Sequence, residues 1–301
     1  MTLEEPPALP ADDAPLGGVG PPTVSSLPDG YRYGVTRYAD VILQQGFPER
    51  FDDVCAALSA FRPTLDELRA GGGGRTEFVK RFDESLGSQR PDDQSVWGKQ
   101  NITIDKAMGF GERVEPISTV RGHEIDMFGL GSLDQPFPGI AVEMEWNNKD
   151  PFFDRDLINF QALHREGAIA VGVIVTRGPS LQQLISKTIR SGQGNFKYGP
   201  SSTHWAKLEP RVTLGGGGEC PLLLIGIEPG RIDGVQTIQA MSQELARLEE
   251  EEREALGGCT KTAIPDSSKR AEAKKRIQAE FKKRRNQVLD TLPPVGAERR
   301  R

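Results

Sequence analysis

Two glutamates and one aspartate form the pattern in this sequence with the clearest chemical potential. Glu143 and Glu145 flank one residue inside an apolar run, and Asp126 lies upstream in a run of similar character. Because residues i and i+2 of a β-strand point to the same face, the two glutamates would share one side of a strand. Like charges in that position repel each other unless a proton or a cation relieves them.

Carboxylates held on a sheet are suited to a hard divalent cation. Mg²⁺ keeps several waters and is bound by one or two protein carboxylates together with substrate phosphates. The pattern predicts phosphodiester hydrolysis in which Asp126 and Glu143 hold the metal and Glu145 orients or deprotonates the attacking water. Two alternatives stay open. The glutamates could lie on a solvated sheet face, or they could be the acid pair of a glycosidase, which the aromatic content of only 7% disfavours.

Hydrophobic patterning predicts the elements that must position these side chains. The glutamates lie in a β-like run at 140–146, which follows another at 123–128 after glycines and prolines typical of a hairpin. A helix from Asp154 and the wholly apolar run 169–175 come next, and this order predicts a βαβ unit with two parallel strands. Further elements are predicted along the chain: helices within 31–82 and at 181–189, 235–256 and 268–289, strands at 102–104 and 222–227, and a loop at 190–208.

Charge is unevenly distributed along the chain. The 301 residues include 38 Lys or Arg and 43 Asp or Glu, which gives a net charge of −5 and excludes a histone-like protein. Residues 261–301 nevertheless hold 13 Lys or Arg against 5 Asp or Glu, so a basic tail follows a more acidic body. The near-neutral total therefore does not exclude a polyanionic partner.

The cysteines and the hydropathy indicate the compartment. Cys55, Cys220 and Cys259 are odd in number, far apart and outside any CxxC spacing, which disfavours a disulfide framework and a structural zinc site. The most apolar run, 168–175, is too short to cross a bilayer, which takes about 20 residues. We therefore expect a cytoplasmic protein with no membrane partner.

The residues around the acidic pattern carry a resemblance to a known family. Glu143 and Glu145 are followed by the polar turn Asn147-Asn148 and a helix, and Asp126 precedes them across a spacer. This order resembles the BamHI/BglII group of type II restriction endonucleases, a branch of the PD-(D/E)xK nucleases. The resemblance covers about 31–232, and its specific signal lies in 121–177. Other branches of the superfamily place lysine where this chain has Glu145.

The resemblance implies a fold and a metal site. The fold is α/β, with a restriction-endonuclease-like core: a central mixed β-sheet flanked by helices, preceded by N-terminal helices and followed by a C-terminal helical extension. The implied metal ligands are Asp126, Glu143 and the backbone carbonyl of Met144, and Glu145 is the implied base. A further acidic ligand belongs upstream, for which the candidates are Glu112, Glu115 and Glu124.

Two polar segments and one isolated arginine are candidates for reading DNA, because amide, hydroxyl and basic side chains suit contacts to base edges and phosphates. The first segment follows the catalytic strand and enters the next helix. The second lies within 190–205, where the alternative is a disordered surface loop. The candidates are Asn147, Asn148, Lys149, Arg155, Arg177, Asn195, Lys197, Ser201, Ser202 and Thr203, although an arginine just past a strand, such as Arg177, is more often a surface charge.

The resemblance implies a type II restriction endonuclease that hydrolyses double-stranded DNA with Mg²⁺ at a short palindromic site and leaves 5′-phosphate ends. It also implies a homodimer and a DNA methyltransferase as functional partner. The alternatives are a nonspecific, repair or defence nuclease of the same fold and an inactive DNA-binding relative. The predicted domains are a disordered proline-rich leader at 1–30, the endonuclease domain at 31–232, and the helical extension at 233–301. Three interpretations of the basic helix at 268–289 stay open: it binds the DNA backbone, it pairs with the acidic stretch 249–254, or it is a solvated face.

Overall fold

The computed structural model describes residues 18–70, 75–87, 96–191 and 195–292. The strands are β1 (Tyr31–Val35), β2 (Trp97–Gln100), β3 (Thr103–Phe110), β4 (Arg113–Arg121), β5 (Ile125–Gly129), β6 (Gly139–Glu145), β7 (Ile169–Arg177) and β8 (Leu222–Ile227). The helices are α1 (Ala39–Gly46), α2 (Pro48–Ala60), α3 (Leu65–Arg69), α4 (Glu77–Gly87), α5 (Phe152–Arg165), α6 (Pro179–Thr188), α7 (Trp205–Thr213), α8 (Val235–Gly257) and α9 (Ser267–Leu289).

The chain folds into two compact units that interleave along the sequence. The first, here the sheet unit, takes in residues up to 61, 75–179 and 201–228. The second, here the helical unit, takes in 62–74, 180–200 and 229 onward, and so contains the predicted C-terminal extension together with two earlier segments. Within the described ranges, no helix combines the length and the apolar character needed to span a bilayer.

A six-stranded mixed sheet forms the centre of the sheet unit, as the α/β prediction requires. The strand order is β1-β8-β7-β6-β5-β2. β6, β7 and β8 pair in parallel, whereas β1, β5 and β2 pair with their neighbours antiparallel. Every residue of β6 and β8 is buried, which explains why both strands are continuous apolar runs broken only by the two glutamates of β6.

The interior between the sheet and α5 is apolar. Phe160 and Leu157 of α5 belong to one buried cluster with Ala141 of β6, Ile174 of β7 and Leu224 of β8. These α5 residues recur at helical spacing, so one stripe of the helix faces the sheet. The cluster fixes α5 against the strand that carries Glu143 and Glu145.

Several elements differ from the sequence-based predictions. β1 was expected within helices, but its five residues are too few for periodicity to separate a strand from a helix. β3 and β4 form a separate two-stranded hairpin that is mostly exposed, so it lacks the apolar alternation that identifies a strand. α7 lies in and beyond the segment predicted to be a loop, where polar and glycine residues obscure the buried Leu208 and Val212.

Residues between 18 and 30, which belong to the predicted disordered leader, make defined contacts. Gly20 pairs with Val35, and the backbone N–H groups of Thr23 and Val24 donate to the buried Asp40 carboxylate. Part of the predicted leader is therefore structured. The remainder of that leader, residues 1–17, lies outside the described residues, as do Gly71 to Gly74.

Replacing Phe160 by alanine tests the packing of α5 on the sheet. Phe160 is fully buried, so we expect Phe160→Ala to lower the free energy of unfolding by about 3–5 kcal/mol. Ile158→Ala is the matched control on the same helix, because Ile158 is 66% exposed, and its expected change is within about 0.5 kcal/mol. Urea unfolding followed by circular dichroism measures both. Equal losses in the two variants would show that α5 does not pack as described.

Candidate active site

Asp126 and Glu143 lie side by side on neighbouring strands. The antiparallel register pairs Met127 with Val142, which places Asp126 opposite Glu143. The backbone N–H of Asp126 donates to Glu143 Oε1 at 3.3 Å. The hairpin between β5 and β6 therefore brings together the two carboxylates that the sequence analysis predicted as metal ligands.

Glu143 and Glu145 are both removed from water. Each is 2% exposed, so the solvated-face alternative is wrong. β6 lies between β5 and β7, and α5 covers the face to which the two glutamates point. The opposite face of the sheet meets α4. There the Trp146 and Phe78 rings lie edge to face, with their centroids 4.9 Å apart. The acidic residues thus interrupt an otherwise apolar packing layer.

A third buried carboxylate, which the sequence analysis missed, joins the glutamates from α5. Asp156 is 1% exposed. It follows Phe153 and precedes Leu157 on the buried stripe of the helix, and a carboxylate on such a stripe is the signal that could have identified it. The burial of three acids in one place means that each raises the energy of ionising the others.

The pKa values express this crowding. Burial raises the pKa of Glu143 well above its usual range, and the nearby charges of Asp126 and Asp156 raise it further. Burial, together with the charge of Asp156, raises the pKa of Glu145 to about 8. Burial also raises the pKa of Asp156. A site of this kind favours a bound cation, which would stabilise the ionised carboxylates.

Arg155 is a cation of the chain itself that contacts Glu145 and Asp156. Its Nη2 lies 3.4 Å from Glu145 Oε1 and 2.7 Å from Asp156 Oδ1, and its guanidinium lies 4.6 Å from the centre of the Phe152 ring. Asn148 holds Glu145 from the other side, because its Nδ2 donates to Glu145 Oε2 at 2.6 Å. Two predicted DNA-contacting residues therefore lie directly against the predicted base.

Asp83 of α4 brings a further acid toward Asp126. Arg75 lies between the two carboxylates: its Nη2 is 3.4 Å from Asp126 Oδ1 and bonds the Asp83 carboxylate. Burial raises the pKa of Asp83 to about 7, and the charge of Asp126 adds to the shift. The signal in the sequence was again an acidic residue on a buried stripe, next to Phe82.

The upstream acids proposed from the sequence lie elsewhere. Glu112 and Glu115 belong to the exposed β3–β4 hairpin, where Glu115 pairs with Arg113. The Glu124 carboxylate is 2.5 Å from Lys99 Nζ and accepts a hydrogen bond from Asn101. By contrast, Asp83 and Asp126 share a contact with Arg75.

The structure joins the two predicted DNA-reading segments of the sheet unit. Asn147, Asn148 and Lys149 are exposed in the turn after β6. The Asn148 carbonyl accepts from the Thr203 N–H at 2.9 Å, and Lys149 pairs with Ser202 in a short antiparallel bridge. Ser201 is exposed, and its carbonyl accepts from the Asp150 N–H at 3.2 Å.

Arg177 lies beneath this pair of segments instead of at the surface. It is fully buried, and its guanidinium donates to the Thr203 carbonyl at 2.6 Å and 3.1 Å and to Ser202 Oγ at 2.6 Å. A charged side chain at the end of a strand therefore anchors the second segment. Burial of this kind cannot be read from a single sequence.

Asn195 and Lys197 belong to the helical unit. Asn195 is exposed, and its carbonyl accepts from the Ser191 N–H at 2.7 Å. Lys197 Nζ donates to the Leu68 carbonyl at 2.9 Å, and burial lowers its pKa. Residues 192–194, which separate Ser191 from Asn195 in the sequence, lie outside the described part of the chain.

A comparison with known protein families establishes the family of this chain. Residues 31–227 match the family model described as restriction endonuclease BglII/BglIII. The chain belongs to the BglII/BglIII restriction endonuclease family. The match spans β1 to β8 and includes Asp126, Glu143 and Glu145, and it confirms the resemblance and the fold class. No individual curated protein matches the chain.

The residues present are compatible with the divalent ion that restriction endonucleases of this kind typically use. No three His, Cys, Asp or Glu side chains of the described ranges are grouped so that they alone could hold a metal ion. Two carboxylates are sufficient for Mg²⁺, however, because waters and substrate phosphates complete its coordination. Asp126 and Glu143 are two adjacent hard oxygen donors, and burial together with the charge of Asp126 raises the pKa of Glu143, so they fit such an ion.

The pH dependence of stability tests the burial of Glu145. Because its pKa rises from 4.5 to about 8, folding favours the protonated form. The stabilisation by that proton is complete below about pH 4.5 and is lost as the pH rises through about 8. We expect the melting temperature of the metal-free BglII/BglIII-family protein to fall over this range, and to fall less in Glu145→Gln. Identical pH profiles for wild type and variant, measured by thermal unfolding with a chelator, would contradict the burial.

Proposed function

We propose that this protein is a Mg²⁺-dependent type II restriction endonuclease that acts as a homodimer on duplex DNA. Each subunit hydrolyses one strand within a short palindromic site and leaves a 5′-phosphate end. The observation that carries the proposal is the adjacent pair Asp126 and Glu143 on β5 and β6, with Glu145 two residues further along the same strand face, inside the region that matches the family.

Asp126, Glu143 and the backbone carbonyl of Met144 would hold the metal ion. When bound, Mg²⁺ stabilises negative charge on the phosphate and lowers the pKa of a coordinated water. Glu145 would orient the attacking water and accept its proton. Asn148 and Arg155, which contact the two oxygens of the Glu145 carboxylate, fix the direction from which it does so.

Arg155 is proposed to contact the phosphate backbone. Its side chain is 34% exposed, so one part of the guanidinium can reach a ligand while Asp156 holds the other. The nearby carboxylates, first among them Asp156, keep its pKa high in spite of burial. Arginine suits this role because its planar fork of donors matches phosphate oxygens.

We assign sequence reading to the exposed turn Asn147 to Lys149 and to Ser201 and Ser202. Amide and hydroxyl groups in these segments can hydrogen-bond base edges, which phosphate contacts alone cannot distinguish. Thr203 and Arg177 are buried and would support the segments from beneath. In the helical unit, Asn195 stays a candidate for a DNA contact, whereas Lys197 is engaged with the Leu68 carbonyl and would act through its surroundings.

A homodimer follows from the palindromic site, because a two-fold symmetric protein matches a two-fold symmetric sequence. A DNA methyltransferase with the same recognition sequence would protect the host. The three cysteines are free, which supports the proposed cytoplasmic location.

Isosteric replacement of the two central carboxylates tests the proposed site. We expect Asp126→Asn and Glu143→Gln each to reduce cleavage of plasmid DNA by about 100-fold or more, because charge that stabilises the transition state is removed. Asp134→Asn is the matched control, since Asp134 is exposed in the loop between β5 and β6, and it should cut as wild type does. Agarose gels of a Mg²⁺-supplemented digest measure all three.

The products of the same digest separate the alternatives. Discrete bands from wild-type protein support restriction, a smear supports a nonspecific nuclease, and retained DNA binding without cleavage supports an inactive relative. If Asp126→Asn and Glu143→Gln cut like wild type, the site assignment is wrong.

A further inference from the structure

The last helix of the helical unit carries far more basic residues than its packing uses. α9 contains nine Lys or Arg and only two acidic residues, Glu272 and Glu280. It lies beyond residue 227, where the family match ends, so the family assigns it no role. Its first half also contributes no buried side chain, since Phe281 is the first buried residue of the helix.

Pairing with the acidic helix α8 accounts for two of the nine cations. Arg284 Nη2 lies 2.8 Å from Glu251 Oε2, and Arg285 pairs with Glu252. Phe281 and Leu289 are buried on the same part of the helix. A third cation, Arg270, donates to the Ile264 carbonyl at 2.6 Å. Intramolecular pairing therefore explains the end of α9 that contacts α8 and leaves the other cations without a structural role.

The six other cations are exposed, and none makes an ion pair with any residue that the structure describes. Five of them form two adjacent rows, because residues seven apart fall on nearly the same side of an α-helix. The first row is Lys269, Arg276 and Lys283, and the second is Lys275 and Lys282. We call these five residues the basic face of α9. Its length from Lys269 to Lys283 is about 21 Å.

We propose that the basic face of α9 binds the phosphate backbone of duplex DNA without regard to sequence. Duplex DNA presents one negative charge for about every 1.7 Å of its axis, so a row of cations about 21 Å long faces many phosphates. The five cations of the basic face outnumber the two carboxylates of α9. Their long lysine and arginine side chains are free to adjust to a partner. The occupant is DNA, since the same chain contains an endonuclease-family unit whose substrate is DNA.

A pair of double variants on one helix tests the proposal. Lys275→Gln/Lys282→Gln removes two charges from the basic face, and Arg284→Gln/Arg285→Gln removes two charges that pair with α8. The 301-residue chain is titrated onto a fluorescein-labelled duplex without a recognition site, in chelator, at several NaCl concentrations. The readouts are the anisotropy and the melting temperature of each protein.

We expect the first variant to bind the duplex more weakly at low salt. The logarithm of its association constant should also fall less steeply with the logarithm of the NaCl concentration, and the magnitude of this slope should be smaller by about 1.8, because each lost phosphate contact removes about 0.9. Its melting temperature should not change. The second variant should keep the wild-type slope and melt at a lower temperature, because the ion pairs of α9 with Glu251 and Glu252 of α8 are lost. Equal slopes in the first variant and wild type, or equal decreases in both variants, would overturn the proposal.

A second probe tests whether lipid is the partner instead of DNA. Vesicles of phosphatidylcholine with phosphatidylserine should not compete with the labelled duplex for wild-type protein, and competition that is lost in the first variant would overturn the assignment to DNA. The titrations contain no divalent ion and do not depend on cleavage. A protein that never cuts DNA but shows the expected slopes would contradict the proposed function and leave this inference standing.

Discussion

The electrostatic repulsion among Glu143, Glu145 and Asp156 is the constraint on which the rest of the structure depends. All three are almost completely buried, and they lie where a central strand meets the helix that covers it. A fold without a use for them would place apolar residues there, because a buried carboxylate without a cation is costly. Arg155 offsets part of the repulsion, and a divalent ion at Asp126 and Glu143 would offset more.

The surrounding fold is rigid where the acids require it. β6 hydrogen-bonds to a strand on each side, and the apolar cluster around Phe160 holds α5 against it. The turn that follows β6 is exposed and is tied to the segment around Thr203, which Arg177 anchors from below. Carboxylates on rigid elements and polar side chains on adjacent turns are the arrangement on which the proposed site-specific hydrolysis of DNA depends.

The sequence predicted the centre of this arrangement because its signals are local. β6, β7 and β8 are apolar runs bounded by glycine, proline or charged residues, and the spacing of Glu143 and Glu145 follows directly from strand geometry. β4 and most of β3 escaped prediction because an exposed hairpin has no buried face to impose alternation.

Asp156 and Asp83, together with the burial of Arg177, escaped the sequence analysis for a different reason. A charged residue is usually at the surface, and only tertiary packing shows that these three are buried. The same applies to α9, where the sequence left pairing and DNA binding as alternatives. The contacts show that Arg284 and Arg285 pair with α8, whereas Lys275 and Lys282 do not.

The most direct test of the central claim is the response of thermal stability to divalent ions in the absence of DNA. If Asp126 and Glu143 bind the ion, the melting temperature of wild-type protein will rise with MgCl₂ or MnCl₂ concentration, because a ligand that binds only the folded state stabilises it. The same titration will leave Glu143→Gln unchanged, and that variant will melt above the wild type when both are metal-free, since it has no carboxyl group that must be either protonated or buried as a charge. Equal ion-dependent shifts in wild type and Glu143→Gln would contradict the account.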